Sequence, residues 1–85
     1  MGEEDDVWGL EEKAHRVLRA ATVEAYGRSG AYVVRERVMR RAGLSDLDEF
    51  YAIAEFLERR GWIAESDADY GVFIVTVSGI DEAMR

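Results

Sequence analysis

The chain has 85 residues, enough for one small domain with a single hydrophobic core. Its apolar content of 48% is that of a folded protein, and the lack of cysteine excludes disulfides, thiolate metal sites and a cysteine nucleophile. Eighteen acidic residues face eleven basic ones, and the resulting net charge of −7 predicts repulsion from nucleic acid unless the arginines share one face.

No apolar run in the sequence is long enough to cross a membrane, and the first residues are acidic where a signal peptide would be basic. We therefore expect a cytoplasmic protein. Residues 1–6 are predicted to form a flexible acidic leader, and residues 7–85 a single domain.

Three segments have the apolar spacing of amphipathic helices. The first covers residues 7–26 and is predicted to end at Gly27, because glycine suits the left-handed position after a helix. The second covers residues 33–41 and ends at Gly43. The third covers residues 45–60 and has the most complete apolar face of the three.

The third helix is predicted to begin at Ser45, because Ser45 and Asp48 have the spacing of a capping box. Its apolar positions continue to Leu57, and Gly61 ends it. Phe56 falls on the opposite side of the helix at 100° per residue, so it is predicted to be an outward-facing aromatic residue.

Residues 31–34 are rich in β-formers and are either a short strand or the entry to the second helix. Residues 62–64 and 70–77 are predicted to form a β-hairpin around the polar connection 65–69. Residues 80–85 have the pattern of the start of a final helix. Alternation along the return strand places Tyr70, Val72, Ile74 and Thr76 on one face and Phe73, Val75 and Val77 on the other. Because both faces are apolar, we expect the second face to be covered or to meet another subunit.

The predicted fold class is α+β and mainly α, with a three-helix core, a C-terminal hairpin and the start of a fourth helix. Two motifs carry a family resemblance: the helix exit FLERRGWI at residues 56–63 and the hairpin end VTVSG at residues 75–79. In this order and spacing, the chain resembles the winged helix-turn-helix domains of prokaryotic transcription regulators. In that family a recognition helix ends in glycine and leads into a hairpin called the wing.

The resemblance implies a DNA-binding transcriptional regulator that acts as a dimer. It makes residues 33–41 the support helix and residues 45–60 the recognition helix, which enters the major groove. The second helix also carries the one basic cluster of the sequence, with four arginines and a single glutamate. The candidate DNA-contacting residues are Arg35, Arg37, Arg40, Arg41, Ser45 and Tyr51.

Acidic side chains leave an alternative open. Residues 46–49 include three carboxylates at the start of the predicted recognition helix, and residues 65–69 include three more at the wing tip. Carboxylates at these places repel DNA phosphates. The alternative is a winged-helix protein-interaction module that does not bind DNA through this helix and that contacts a protein partner with Tyr51, Phe56 and the hairpin.

The sequence contains no pattern that is typical of catalysis. It has no Ser/His/Asp order, no glycine loop for phosphate binding and no metal-ligand spacing around its one histidine, His15. We therefore expect no enzymatic activity, no cofactor and no metal site, and we interpret His15 as a surface residue.

Overall fold

The computed structural model describes the backbone of residues 2–66 and 71–85, and the side chains of residues 9–66 and 71–85. This part of the chain is mainly helical, with four α-helices and one antiparallel three-stranded sheet. In chain order, the elements are α1 (Gly2–Glu24), β1 (Tyr32–Val34), α2 (Arg35–Ala42), α3 (Leu47–Arg59), β2 (Ile63–Glu65), β3 (Val72–Val75) and α4 (Val77–Ala83).

The helix starts differ from those predicted. α1 begins at Gly2 rather than at residue 7, so most of the predicted leader continues the helix. α2 begins at Arg35, because the β-formers before it make the strand β1. The N-cap of α3 is Asp46 and not Ser45: the Asp46 carboxylate accepts a 2.9 Å hydrogen bond from the backbone N–H of Asp48. This bond satisfies one of the free N–H groups of the first turn.

The C-terminal end of α1 forms a Schellman motif. The N–H of Gly27 donates to the carbonyl oxygen of Thr22 at 2.9 Å, and the N–H of Tyr26 donates to that of Val23 at 3.0 Å. Tyr26 therefore takes the left-handed C′ position that the sequence assigns to Gly27, with a φ of 56°. A residue with a Cβ atom loses about 1–2 kcal/mol in this conformation relative to glycine.

The sheet has the strand order β1-β3-β2 and is antiparallel throughout. Val33 lies opposite Phe73, and Ile63 lies opposite Val75. These four side chains are buried on the inner face of the sheet, against the helices. The alternation predicted for residues 72–75 is therefore confirmed.

The strand is shorter than predicted at its end, because Val77 is the first residue of α4 and is exposed rather than on the inner face. The predicted strand residue Tyr70 lies outside the described residues. On the outer face, Tyr32 lies opposite Ile74, and Val34 lies opposite Val72. The side chains of Tyr32 and Val34 are 69% and 45% exposed, whereas those of Val72 and Ile74 are half-buried, so this face is only partly covered in the described chain.

The core lies between the inner face of the sheet and α1, α2 and α3. Its largest fully buried side chains are Leu18, Ile53, Leu57, Val17, Val38 and Val75. Burial of one such side chain stabilises the fold by about 1.5–3 kcal/mol. In the centre of the core, the ring centre of Phe50 from α3 lies 6.1 Å from that of Phe73 from β3.

One threonine joins the two sequence motifs that carry the family resemblance. The Thr76 hydroxyl donates a 2.6 Å hydrogen bond to the carbonyl oxygen of Gly61, two residues beyond the end of α3. The same hydroxyl accepts a 3.1 Å bond from the N–H of Gly79 and so caps α4. The element order and the strand order are compatible with a winged helix.

Candidate functional site

The four arginines of α2 divide into two groups. Arg35 stands at the start of the helix, half-buried beside α3: its Nη1 donates a 2.7 Å hydrogen bond to the hydroxyl of Tyr51, and its Cζ lies 5.7 Å from the centre of the Tyr51 ring. Its backbone N–H donates to the carbonyl oxygen of Gly71 at 2.7 Å. Arg35 therefore links α2 to α3 and to the hairpin.

The other three arginines line an open cleft between α2 and the end of α1, which we call the α1–α2 cleft. Its volume is about 510 Å³. Its lining residues are Val23, Glu24, Tyr26, Arg37, Arg40 and Arg41. Nε of Arg41 donates to Oε2 of Glu24 at 2.8 Å, which holds this guanidinium in place. Arg37 and Arg40 are exposed and have no hydrogen-bond or ion-pair partner in the described part of the chain.

The sequence does not single out Tyr26 as a site residue, yet Tyr26 is 88% exposed and is one of the residues that line the α1–α2 cleft. The apolar spacing of α1 and the arginine run of α2 are visible in the sequence. The second wall of the cleft is the end of α1. Tertiary packing brings it there, so no local sequence pattern predicts this wall.

The outer face of α3 is not basic. Ser45 is exposed before the helix begins, and Tyr51 is exposed to 49% with its hydroxyl bound to Arg35. Asp48 is exposed in the first turn, and Glu55 pairs with Arg59 at 3.7 Å one turn apart. The predicted DNA-contacting residues thus do not form one surface: Arg35 and Tyr51 meet at α3, whereas the remaining arginines face the end of α1.

Phe56 is not the open aromatic residue that the helical pattern predicts. It is half-buried, with its ring centre 6.5 Å from that of Trp62 in an edge contact. The guanidinium of Arg60 lies 4.7 Å from the centre of the Phe56 ring. The chain that leaves α3 brings Trp62 back over this side of the helix, and Phe56 and Tyr51 point about 140° apart around α3.

His15 is also more enclosed than predicted. Its Nδ1 lies 3.0 Å from the carbonyl oxygen of Glu11, and its Nε2 lies 3.1 Å from a carboxylate oxygen of Glu82 in α4. Both partners are acceptors, so the contacts suit an imidazolium that donates from both nitrogens. The hydrogen bond to the Glu11 carbonyl, followed by the bond to Glu82, raises the pKa of His15 above its ordinary value of 6.5.

The described residues contain no group of three or more His, Cys, Asp or Glu side chains arranged to hold a metal ion. Within the same residues, no helix is both long and apolar enough to cross a membrane. Comparison of the chain with protein-family models, with curated proteins and with solved structures found no match.

Proposed function

We propose that this chain is a winged-helix DNA-binding protein, acting as a dimeric transcriptional regulator, whose arginines on α2 contact the phosphate backbone. The observation that carries the proposal is the convergence of Arg37, Arg40 and Arg41 on the α1–α2 cleft. A guanidinium with no acidic partner is available to a phosphate, and its planar fork matches two phosphate oxygens. Arg37 and Arg40 meet this condition in the described part of the chain.

The charge distribution defines the mode of binding in this proposal. The outer face of α3 exposes Asp48 and the paired Glu55, which suit neither phosphates nor most base edges. Phosphate contacts fix the position of a protein on DNA without reading its sequence. We therefore propose that backbone contacts from α2 dominate the affinity, that sequence selectivity is low, and that Arg41, held by Glu24, forms a fixed rim of the interface.

The test is the anisotropy of a fluorescent DNA duplex titrated with protein across a salt series. The plot of log affinity against log salt should be linear, and Arg37→Ala or Arg40→Ala should each weaken binding and reduce its slope by about 0.9 for one lost phosphate contact. Arg59→Ala is the matched control, because it removes the same charge from the outer face of α3.

Two results would contradict the proposal. The first is no binding of wild type to any duplex at low salt. The second is loss of binding in Arg59→Ala with full binding in Arg37→Ala, which would move the interface to α3.

The partly exposed outer face of the sheet favours a second candidate function, a protein-interaction module whose partner is a second copy of the chain. The five described side chains from the strands on this face are uncharged and apolar: Tyr32, Val34, Ala64, Val72 and Ile74. Two chains that each carry a net charge of −7 can meet on such a face without bringing like charges into contact.

Light scattering after size exclusion tests this candidate over a range of protein concentrations. Tyr32→Glu should shift the mass from dimer to monomer, because it places a charge on the apolar face at its most exposed side chain. Val77→Glu is the control, since Val77 is 66% exposed but lies on α4 outside the sheet. A wild-type protein that is monomeric at every concentration would rule out both this candidate and the dimeric form of the first.

A further inference from the structure

Tyr26 combines a strained backbone with an exposed aromatic ring. It is the one non-glycine residue with a positive φ among the described residues, and glycine would fit its position with less strain. Burial of the side chain does not offset this strain, because Tyr26 is almost fully exposed to solvent. Strained residues without a stabilising role are found most often at functional sites.

The surroundings of Tyr26 indicate what its ring contacts. It lines the α1–α2 cleft together with Val23, the three arginines and Glu24, whose carboxylate is paired with Arg41. Cationic side chains next to an exposed aromatic ring are the arrangement with which proteins hold single-stranded nucleic acid, since the cations follow the phosphates and the ring stacks on a base. The cleft volume of about 510 Å³ and its open form leave room for one nucleotide.

We propose that the α1–α2 cleft binds an unpaired nucleotide of DNA, with the base stacked on Tyr26 and the flanking phosphates held by Arg37 and Arg40. The inference rests on the proposed function and narrows its substrate. A base inside a duplex has both faces covered by its neighbours, so Tyr26 can stack only on a base in a single strand, in an overhang or at an open site. The protein therefore prefers DNA with a single-stranded segment to fully paired DNA.

The test compares three fluorescent probes: a blunt duplex, the same duplex with a single-stranded overhang, and the single strand alone. Wild type should bind the two probes with unpaired bases more tightly than the blunt duplex. Tyr26→Gly should abolish this preference, with a loss of about ten-fold on those probes. Tyr26→Phe should retain the preference, because stacking needs the ring and not the hydroxyl.

Tyr26→Gly also separates binding from folding. Glycine relieves the strain at the C′ position, so the variant should unfold at a higher urea concentration than wild type. A variant that is more stable and yet binds less tightly has lost a contact with the ligand and not its structure.

The possible outcomes separate the two proposals. If wild type binds all three probes equally, or if Tyr26→Gly keeps the preference, the inference about the unpaired nucleotide is wrong. In that case a loss of duplex binding in Arg37→Ala still supports the proposed function. If no probe binds at low salt, both proposals are wrong.

Discussion

The guanidinium of Arg35 donates a 2.7 Å hydrogen bond to the hydroxyl of Tyr51, and this bond joins the first residue of α2 to α3. Arg35 also places its guanidinium beside Gly71, where an added Cβ atom would lie 3.5 Å from Cζ. Nε of Arg35 is buried and has no hydrogen-bond partner in the described chain. These contacts give Arg35 a positioning role between α2, α3 and the hairpin.

A double-mutant cycle should measure the coupling between Arg35 and Tyr51. Arg35→Met keeps the aliphatic part of the side chain, and Tyr51→Phe keeps the ring, so each removes mainly the hydrogen bond. We expect a coupling free energy of about 0.5–1 kcal/mol in urea denaturation, because the bond is solvent-exposed. Strictly additive effects of the two substitutions would show that the bond adds nothing to stability.

Stability should depend on the protonation of His15. Its folded-state pKa is raised by the Glu11 carbonyl and by Glu82, so the protonated form stabilises the fold. This contribution is complete below pH 6.5 and is lost as the pH rises through the folded-state pKa. The free energy of unfolding of wild type, relative to His15→Gln, should therefore be larger in mild acid than in mild alkali.

Urea denaturation at a series of pH values provides this comparison. His15→Gln retains a side chain that can hydrogen-bond but does not titrate, so the difference between the two proteins isolates the imidazole. A difference that stays constant with pH would contradict the assigned contacts with Glu11 and Glu82.

Gly79 should tolerate no side chain. A Cβ atom there would overlap the carbonyl oxygen of Trp62 and lie 2.8 Å from Cγ1 of Val75. Because backbone must move to make room, we expect Gly79→Ala to destabilise the protein by about 2–3 kcal/mol. Gly9→Ala is the matched control: Gly9 is inside α1, and apart from the backbone of its own helix no atom of the described residues lies within 4 Å of the added atom, so this change should stabilise the helix by about 0.5–1 kcal/mol. Thermal denaturation should therefore show a lower melting temperature for Gly79→Ala and a higher one for Gly9→Ala than for wild type.

The hydroxyl of Thr76 should contribute measurably to stability. Thr76→Val keeps the shape of the side chain but removes the bonds to Gly61 and Gly79, and we expect a loss of about 1–2 kcal/mol. Thr76→Ser keeps the hydroxyl and should recover most of this loss. If the valine and serine variants are equally stable in urea, the hydroxyl does not hold the two motifs together.

Periodic patterns predicted the elements of this fold better than their ends. Three helices and a hairpin follow from apolar spacing, because spacing reflects which side chains face the core. The first and last residues of an element depend on which of two neighbouring residues takes the capping position, and this is decided by single hydrogen bonds. Ser45 and Asp46 are both good N-caps, and Tyr26 and Gly27 compete for one C′ position; in each pair the sequence favoured the wrong member. Val77 fits the strand alternation, but the capping bond of Thr76 begins a helix there.

The candidate site was predictable only in part. The sequence places four arginines on one short helix, but their partners come from other elements. Arg35 meets Tyr51 of α3, and Arg41 meets Glu24 of α1. Phe56 was misplaced for the same reason, since the Trp62 ring that packs beside it comes from beyond the helix.

The strand order has a consequence for how the chain folds. β3 pairs with β2 across a short connection, whereas the pair Val33 and Phe73, in β1 and β3, is separated by forty residues. Pairing β1 with β3 closes the longer loop and therefore costs more chain entropy. Contacts between residues that are far apart in the sequence also form slowly. We expect the hairpin to be structured in the folding transition state and β1 to join afterwards. Val33→Ala should then accelerate unfolding and leave the refolding rate nearly unchanged in a chevron plot.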